Sequence, residues 1–320
     1  MSDVAEPIAG IAPGRHPRPA LGYVLYILAA TVFALNGTIA KSILLTGIEA
    51  SRLSQLRVTG AFLILLVVVA LTRPRALRIR RSEIGMLLAY GILGVAMTQY
   101  LYFVAIELMP VGIALLIEFT SPIMVALWFH FVLRHHTPRL VWLGLATALI
   151  GLAMVAQVWQ GFTLNALGVI AAFGAGAALA IYFLVGDAMV RRPEPRDPVS
   201  MTMWAFGAAA LFWAIVQPWW SYPWSALAGD AYPLGEGSGG IPVLGLVGYM
   251  IVLGTVLPFW LIVVALHHIR ASNASVIGMT EPLLASLIAW VALGEVLAPA
   301  QIAGAVVVLV GVYLAERYRT

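Results

Sequence analysis

Ten apolar runs, each about as long as a bilayer's hydrocarbon core is thick, follow one another along the 320 residues. At 1.5 Å of rise per residue, ~20 helical residues cross a core of ~30 Å. The runs extend from Leu21 to Leu45, Ala50 to Leu71, Ile84 to Leu108, Val111 to Leu133, Pro138 to Val158, Leu164 to Val190, Val199 to Trp219, Pro242 to Ile269, Asn273 to Leu293 and Pro299 to Glu316. They are continuously apolar, whereas barrel strands are about ten residues of alternating pattern, so they predict helices. Only 10% of the residues are charged and 62% are hydrophobic, against about 25% charged in an ordinary soluble domain. The predicted solvent is lipid, and the predicted fold is an all-α membrane protein of ten transmembrane helices.

The basic residues orient the chain. With the amino terminus inside, fifteen of the eighteen Lys and Arg residues fall on inner segments, leaving Lys41, Arg52 and Arg57 at or near the outer side. That excess predicts two cytoplasmic termini, which requires an even number of spans. The net charge of +4 is spread in short clusters between apolar runs rather than along one polar face, so no nucleic-acid partner is expected. Residues 1–20, with Pro7, Pro13, Pro17, Pro19, Arg15 and Arg18, read as a flexible cytoplasmic leader without the pattern of a cleaved signal peptide. The chain has no cysteine, which excludes disulfides, thiolate metal sites and cysteine nucleophiles.

The sequence also repeats itself. An offset of 160 residues pairs Gly94 with Gly254, Thr120 with Thr280, Pro122 with Pro282, Gly144 with Gly304 and Gly151 with Gly311. An offset of 146 pairs Leu21-Gly22 with Leu167-Gly168 and Ser54 with Ser200, so the difference falls in the loop before the eighth run. Two units result, 21–159 and 164–317, each of five helices. An odd number makes the second unit enter the membrane from the opposite side. The expected pseudo-two-fold axis in the membrane plane suits alternating access around a central site.

The repeat resembles the EamA-type units of the drug/metabolite transporter superfamily. The stretches that carry the resemblance are Asn36 to Lys41 (NGTIAK), Arg57, Glu118 to Pro122 (EFTSP) with Trp142 to Gly151, and, in the second copy, Gly278 to Pro282 (GMTEP), Leu293-Gly294-Glu295 and Gly304 to Gly311. Where the family's first repeat often has LGE, this chain has Leu133-Arg134-His135. The resemblance implies a multi-pass inner-membrane permease that exports a small metabolite, an amino acid or related solute. Drug or dye export is the alternative within the family, and an intramembrane enzyme is the alternative from another class. The chain has no H-E-x-x-H zinc motif, and no cofactor is expected.

Polar side chains inside the apolar runs are the site candidates, because an ionisable group facing lipid costs at least ~2.5 kcal/mol and so turns toward the bundle interior. Glu118 lies about 10 Å into its helix at helical rise, and Arg57 lies at similar depth. Burial and a nearby cation act oppositely on a carboxylate's proton, so this pair reads either as a proton-coupling switch or as a static salt bridge. Asn36, Gln99, Tyr100, Trp260 and Glu281 are expected to line the substrate cavity. Lys41 reads as an interfacial lysine by its place at the outer end of its helix, whereas the resemblance implies a gate or substrate contact for it. Pro122, Pro258 and Pro282 are expected to break their helices and free the carbonyls of Glu118, Gly254 and Gly278. The paired histidines His135-His136 and His267-His268 read as interfacial side chains, since adjacent histidines on a helix cannot readily share one metal ion. Gly144/Gly151 and Gly304/Gly311 put small residues on one helix face for close packing.

Overall fold

A computed structural model describes residues 18–160, 165–233, 239–293 and 298–317. Most of the predicted leader, and Gly294-Glu295 of the second-copy motif, lie outside the described residues. The helices in chain order are α1 (Pro19–Leu44), α2 (Ala50–Thr72), α3 (Arg81–Leu108), α4 (Val111–Val132), α5 (Arg139–Val155), α6 (Ala166–Val190), α7 (Pro198–Val216), α8 (Val243–Leu266), α9 (Ala271–Gly278, then Glu281–Leu293) and α10 (Pro299–Arg317). Among the described residues, eight of these are long and apolar enough to cross a membrane; α5 is shorter and α9 is interrupted. Starts are set by local chemistry. Asn165 caps α6 by accepting from the Gly168 amide, and Asp197 caps α7 by accepting from the Ser200 amide with Pro198 in the first turn.

Polarity is arranged for lipid. Along α2, Leu63, Ile64, Val67, Val68 and Leu71 are exposed, whereas Ser54, Gln55 and Arg57 are buried. Such an outward apolar belt around a polar interior is unstable in water and stable in a bilayer.

Packing follows the internal repeat. α3 packs on α6 as α8 packs on α1, and α4 packs on α6 as α9 packs on α1. The pairs α2–α7, α4–α9 and α5–α10 meet their own repeat mates. The tightest of these is α5–α10, where the glycines at seven-residue spacing face each other. A Cβ on Gly144 would lie 2.8 Å from the Gly311 carbonyl oxygen, and one on Gly151 would lie 2.8 Å from that of Gly304. Only hydrogen at these positions lets the backbones approach so closely.

The interruptions also repeat. α4 runs from Val111 to Glu118, breaks, and restarts at Ser121; α9 runs from Ala271 to Gly278, breaks, and restarts at Glu281, each boundary 160 residues on. At each break a threonine hydroxyl turns back onto the chain, Thr120 to the Ile117 carbonyl and Thr280 to that of Ile277. Pro122 and Pro282 therefore sit in the first turn of a new helical piece rather than kinking a continuous one, because a missing N–H costs nothing there. α3 and α8 contain π-helical turns at Ala89–Ala96 and Val252–Val256, which overlap under the same offset. One break has no mate: α1, expected to be continuous, divides into Pro19–Phe33 and Asn36–Leu44. Asn36 and Gly37, poor helix-interior residues, stand at that division, whereas α6 passes the matching position unbroken.

The ends of the bundle are tied by polar clamps. Arg196 donates to the carbonyls of Ala76 and Arg78 and to Glu83 at 2.6 Å, joining the α6–α7 connection to the α2–α3 connection. At the other end, Arg52 donates to the Pro218 carbonyl and to Ser221, joining α2 to the α7–α8 loop. That loop also holds a two-stranded ribbon, β1 (Asp230–Ala231) antiparallel to β2 (Ile241–Pro242).

Candidate functional site

A cavity of about 90 Å³ lies between the two repeats, walled by α1, α2, α3 and α4 of the first and by α6, α8 and α9 of the second. Its polar members are Asn36, Arg57, Gln99, Glu118 and Glu281, together with Thr98 and the hydroxyls of Tyr26, Tyr102 and Tyr182. Its apolar wall includes Phe33, Phe119, Phe183 and Phe259. The α4 and α9 breaks deliver the carboxylates. Glu118 ends the first piece of α4, and Glu281 opens the second piece of α9.

The wall itself is built from repeat-related positions. On α1 it uses Phe33, Asn36 and Gly37, and on α6 it uses Leu179, Tyr182 and Phe183, each 146 residues on. On α3 it uses Gln99 and Tyr102, and on α8 Phe259 and Ile262, each 160 residues on. Polarity is unequal between the mates. Asn36, Arg57, Gln99 and Glu118 correspond to Tyr182, Met203, Phe259 and Gly278, so the first repeat supplies most polar groups and Glu281 alone adds charge from the second.

Arg57 is the most constrained member. Its side chain is buried, its Nε donates to the Thr255 hydroxyl at 2.5 Å, and its Nη2 donates to the Gly254 carbonyl at 2.6 Å. Pro258 cannot offer an N–H to Gly254, four residues earlier, so the guanidinium takes up a carbonyl the helix leaves open. With the Asn36 amide oriented to satisfy its surroundings, its oxygen accepts from Arg57 Nη2 at 2.8 Å. The guanidinium also lies 5.4 Å from the centre of the Phe103 ring, within cation–π range. Among the described residues no hydrogen bond or ion pair joins Arg57 to Glu118; the ion pairs are Arg73–Asp197, Arg80–Glu194, Arg191–Asp187 and Arg196–Glu83. The static salt bridge considered from sequence is therefore absent here, because backbone and amide acceptors across the repeat interface engage the guanidinium instead.

Gln99 is 3% exposed, and neither of its amide atoms has a protein partner. Tyr100 and Trp260, expected beside it in the cavity, lie outside the wall. Tyr100 packs edge-to-face on Trp213, and Trp260 packs into the main apolar core. Each is one residue past a lining side chain, Gln99 or Phe259, and one residue of helix turns a side chain by about 100°. Lys41 is also outside, donating from Nζ to the Met109 carbonyl at 3.1 Å. The aromatic lining was not singled out from sequence. Its trace on α1 is Tyr26, Ala30, Phe33 and Gly37, a one-face stripe at spacings of four, three and four. The His130 ring lies near that of His136 and the His135 ring stacks on Phe129, but among the described residues no three His, Asp or Glu side chains converge as metal ligands.

The EamA-like transporter family matches the chain twice, over residues 20–157 and 166–317. The threonine/homoserine exporter RhtA of Escherichia coli (strain K12) is 29% identical over 293 residues, 91% of this chain and 90% of its own length. RhtA of Salmonella typhimurium (strain LT2) is 30% identical over 283 residues, 88% and 86% of the two chains. The uncharacterized transporter YwfM of Bacillus subtilis (strain 168) is 26% identical over 216 residues, 67% of each. One crystal structure shares the fold with a TM-score of 0.68, covering 92% of this chain and 97% of that one at 17% identity. Eight apolar spans together with these transporter relatives identify a multi-pass inner-membrane protein. Carrying two copies of the family unit over nearly the whole of its described length, the chain belongs to the EamA-like transporter family.

Proposed function

We propose that this chain is a proton-coupled secondary exporter of a small amino acid or closely related solute, with ten spans, both termini in the cytoplasm, and alternating access of the cavity between its repeats. The observation that carries this reading is the cavity itself, which brings two carboxylates, one clamped guanidinium and one unpartnered amide together inside an aromatic wall. An amino acid is complementary to that set. Glu118 and Glu281 suit its ammonium, the remaining donors around Arg57, Asn36 and Gln99 suit its carboxylate or a side-chain hydroxyl, and the phenyl rings suit a short aliphatic stem. The RhtA relatives, named as threonine/homoserine exporters, make hydroxylated amino acids the first solutes to try.

Charge balance supports the coupling. Two carboxylates against one guanidinium leave the cavity one positive charge short, and an uncompensated charge at that depth is costly. A proton supplies the missing charge. The solute's ammonium pairs with the same carboxylates while its own carboxylate goes to the donors around Arg57, so proton and solute compete and exchange one for the other. Proteoliposomes loaded with labelled threonine or homoserine test this directly. Efflux should accelerate when the far side is made acidic and collapse with a protonophore; a pH-insensitive efflux rejects coupling, and no efflux of any amino acid rejects the substrate class. The aromatic wall favours a second reading, export of a lipophilic cation, which would appear as dye efflux in the same vesicles.

A further inference from the structure

We propose that Lys41 and Asp187 are a pseudo-symmetric pair of positioning residues, one at each face of the bundle, that latch the two half-helices bearing on the cavity carboxylates. The pair rests on the alternating-access reading above and adds to it the parts that hold each face closed. Lys41 and Asp187 are repeat mates, 146 residues apart. Consecutive helices run in opposite directions, so the end of α1 and the end of α6 lie at opposite faces. Each residue reaches from its own helix to the connection that starts a half-helix. Lys41 donates to the carbonyl of Met109, two residues before Val111 opens α4. Asp187 Oδ1 accepts from the amide of Ala271, the first residue of α9, at 3.0 Å. Met109 and Ala271 are two residues apart under the 160 offset, so both contacts fall on the same joint.

Both half-helices need such a partner. Pro110 and Arg270 stand at their caps, and neither provides a side-chain cap hydrogen bond. Each half-helix is eight residues long, a rod of about 12 Å, held at one end by its latch and at the other by the break beside Glu118 or Glu281. A rod with a break at its inner end swings when its outer end is released. The first piece of α9 packs against the second piece of α4, so displacement of one rod presses on the other repeat and disfavours opening both faces together. The two latches differ in strength. Asp187 is buried and is held by Arg191 through two hydrogen bonds of 2.8 and 2.9 Å, whereas Lys41 is half-buried and makes one hydrogen bond to a neutral carbonyl. Each latch bond has one charged partner, but only Asp187 is buried and held in place by a second side chain, so the Lys41 face should open more readily.

The absence of native cysteine makes the test direct. A single cysteine replacing Ile262, in the cavity wall, is labelled in oriented proteoliposomes by a membrane-impermeant thiol reagent added to one face at a time. Asp187→Ala should raise labelling from the Asp187 face at least threefold and lower it from the Lys41 face. Lys41→Met should do the reverse, and Asp187→Glu and Lys41→Arg should restore the parent ratio. Equal increases from both faces, or no change in folded, monodisperse variants, overturn the latches. If Asp187→Ala does not fold, Arg191→Gln, which releases Asp187 without removing it, must shift labelling in the same direction; no shift overturns the proposal. The parent protein separates the two levels. A parent that transports solute yet is labelled from one face only under every gradient contradicts alternating access itself, whereas a parent that alternates while the variants leave its bias unchanged contradicts the latches alone.

Discussion

Arg57 of the first repeat donates a 2.6 Å hydrogen bond to the backbone carbonyl of Gly254 in the second, a carbonyl to which Pro258 cannot donate. The guanidinium therefore ties α2 to α8 across the repeat interface and leaves Glu118 without a fixed counter-charge. Arg57→Lys keeps the charge but loses the fork that reaches Thr255, Gly254 and Asn36 together. Transport should fall at least tenfold in a protein that still purifies as a monodisperse species. Near-normal transport by Arg57→Lys would reduce the residue to a simple cation.

Gln99 gives a prediction with two opposed readouts. An amide buried without partners costs about 1–3 kcal/mol, so Gln99→Leu should raise the thermal unfolding midpoint while lowering transport at least fivefold. A stability gain without loss of transport would remove Gln99 from the site.

How much of this was readable beforehand depends on how few places a residue type can go. An ionisable side chain in an apolar run must turn inward, so Glu118, Glu281 and Arg57 declare themselves, and all three line the cavity. Aromatic side chains are at home in lipid, in packing and in a cavity alike. Tyr100 and Tyr102 differ only by helix phase, and α3 carries a π-helical stretch just before them that shifts that phase. The repeat offsets were legible from a few Gly, Pro and Thr matches and the open Gly254 carbonyl from Pro258, but neither could reveal that Arg57 would take that carbonyl. Opposite charge pointed to Glu118, whereas hydrogen-bond geometry chose Gly254, Thr255 and Asn36. The division of α1 at Asn36 also escaped notice, because no proline marks it.

Close packing of α5 on α10 depends on four glycines. Gly151→Leu places a side chain where the Gly304 carbonyl and Val308 already stand. Overpacking of this kind costs about 1–3 kcal/mol, and the unfolding midpoint should drop while the solute affinity of the folded fraction, measured by binding, stays unchanged. An affinity loss larger than the stability loss would mean that this crossing belongs to the transport site.

The Arg196–Glu83 pair is buried, with side chains 8% and 6% exposed. Removing one partner of such a pair costs about 3–5 kcal/mol because the other is stranded. Arg196→Met should therefore destabilise more than Arg80→Met, whose partner Glu194 is largely exposed. Equal effects, read from thermal unfolding in detergent, would contradict the clamp between the α2–α3 and α6–α7 connections.

The most direct measurement follows proton flux and amino-acid flux in the same proteoliposomes for the parent protein and for Glu118→Gln. The cavity carboxylate is held to exchange a proton for the solute's ammonium. The parent should therefore move the two in opposite directions at a fixed ratio. Glu118→Gln should retain its fold, bind solute more weakly and without pH dependence, and lose at least nine-tenths of coupled transport. Unchanged proton-coupled transport in Glu118→Gln would contradict the central role given to Glu118.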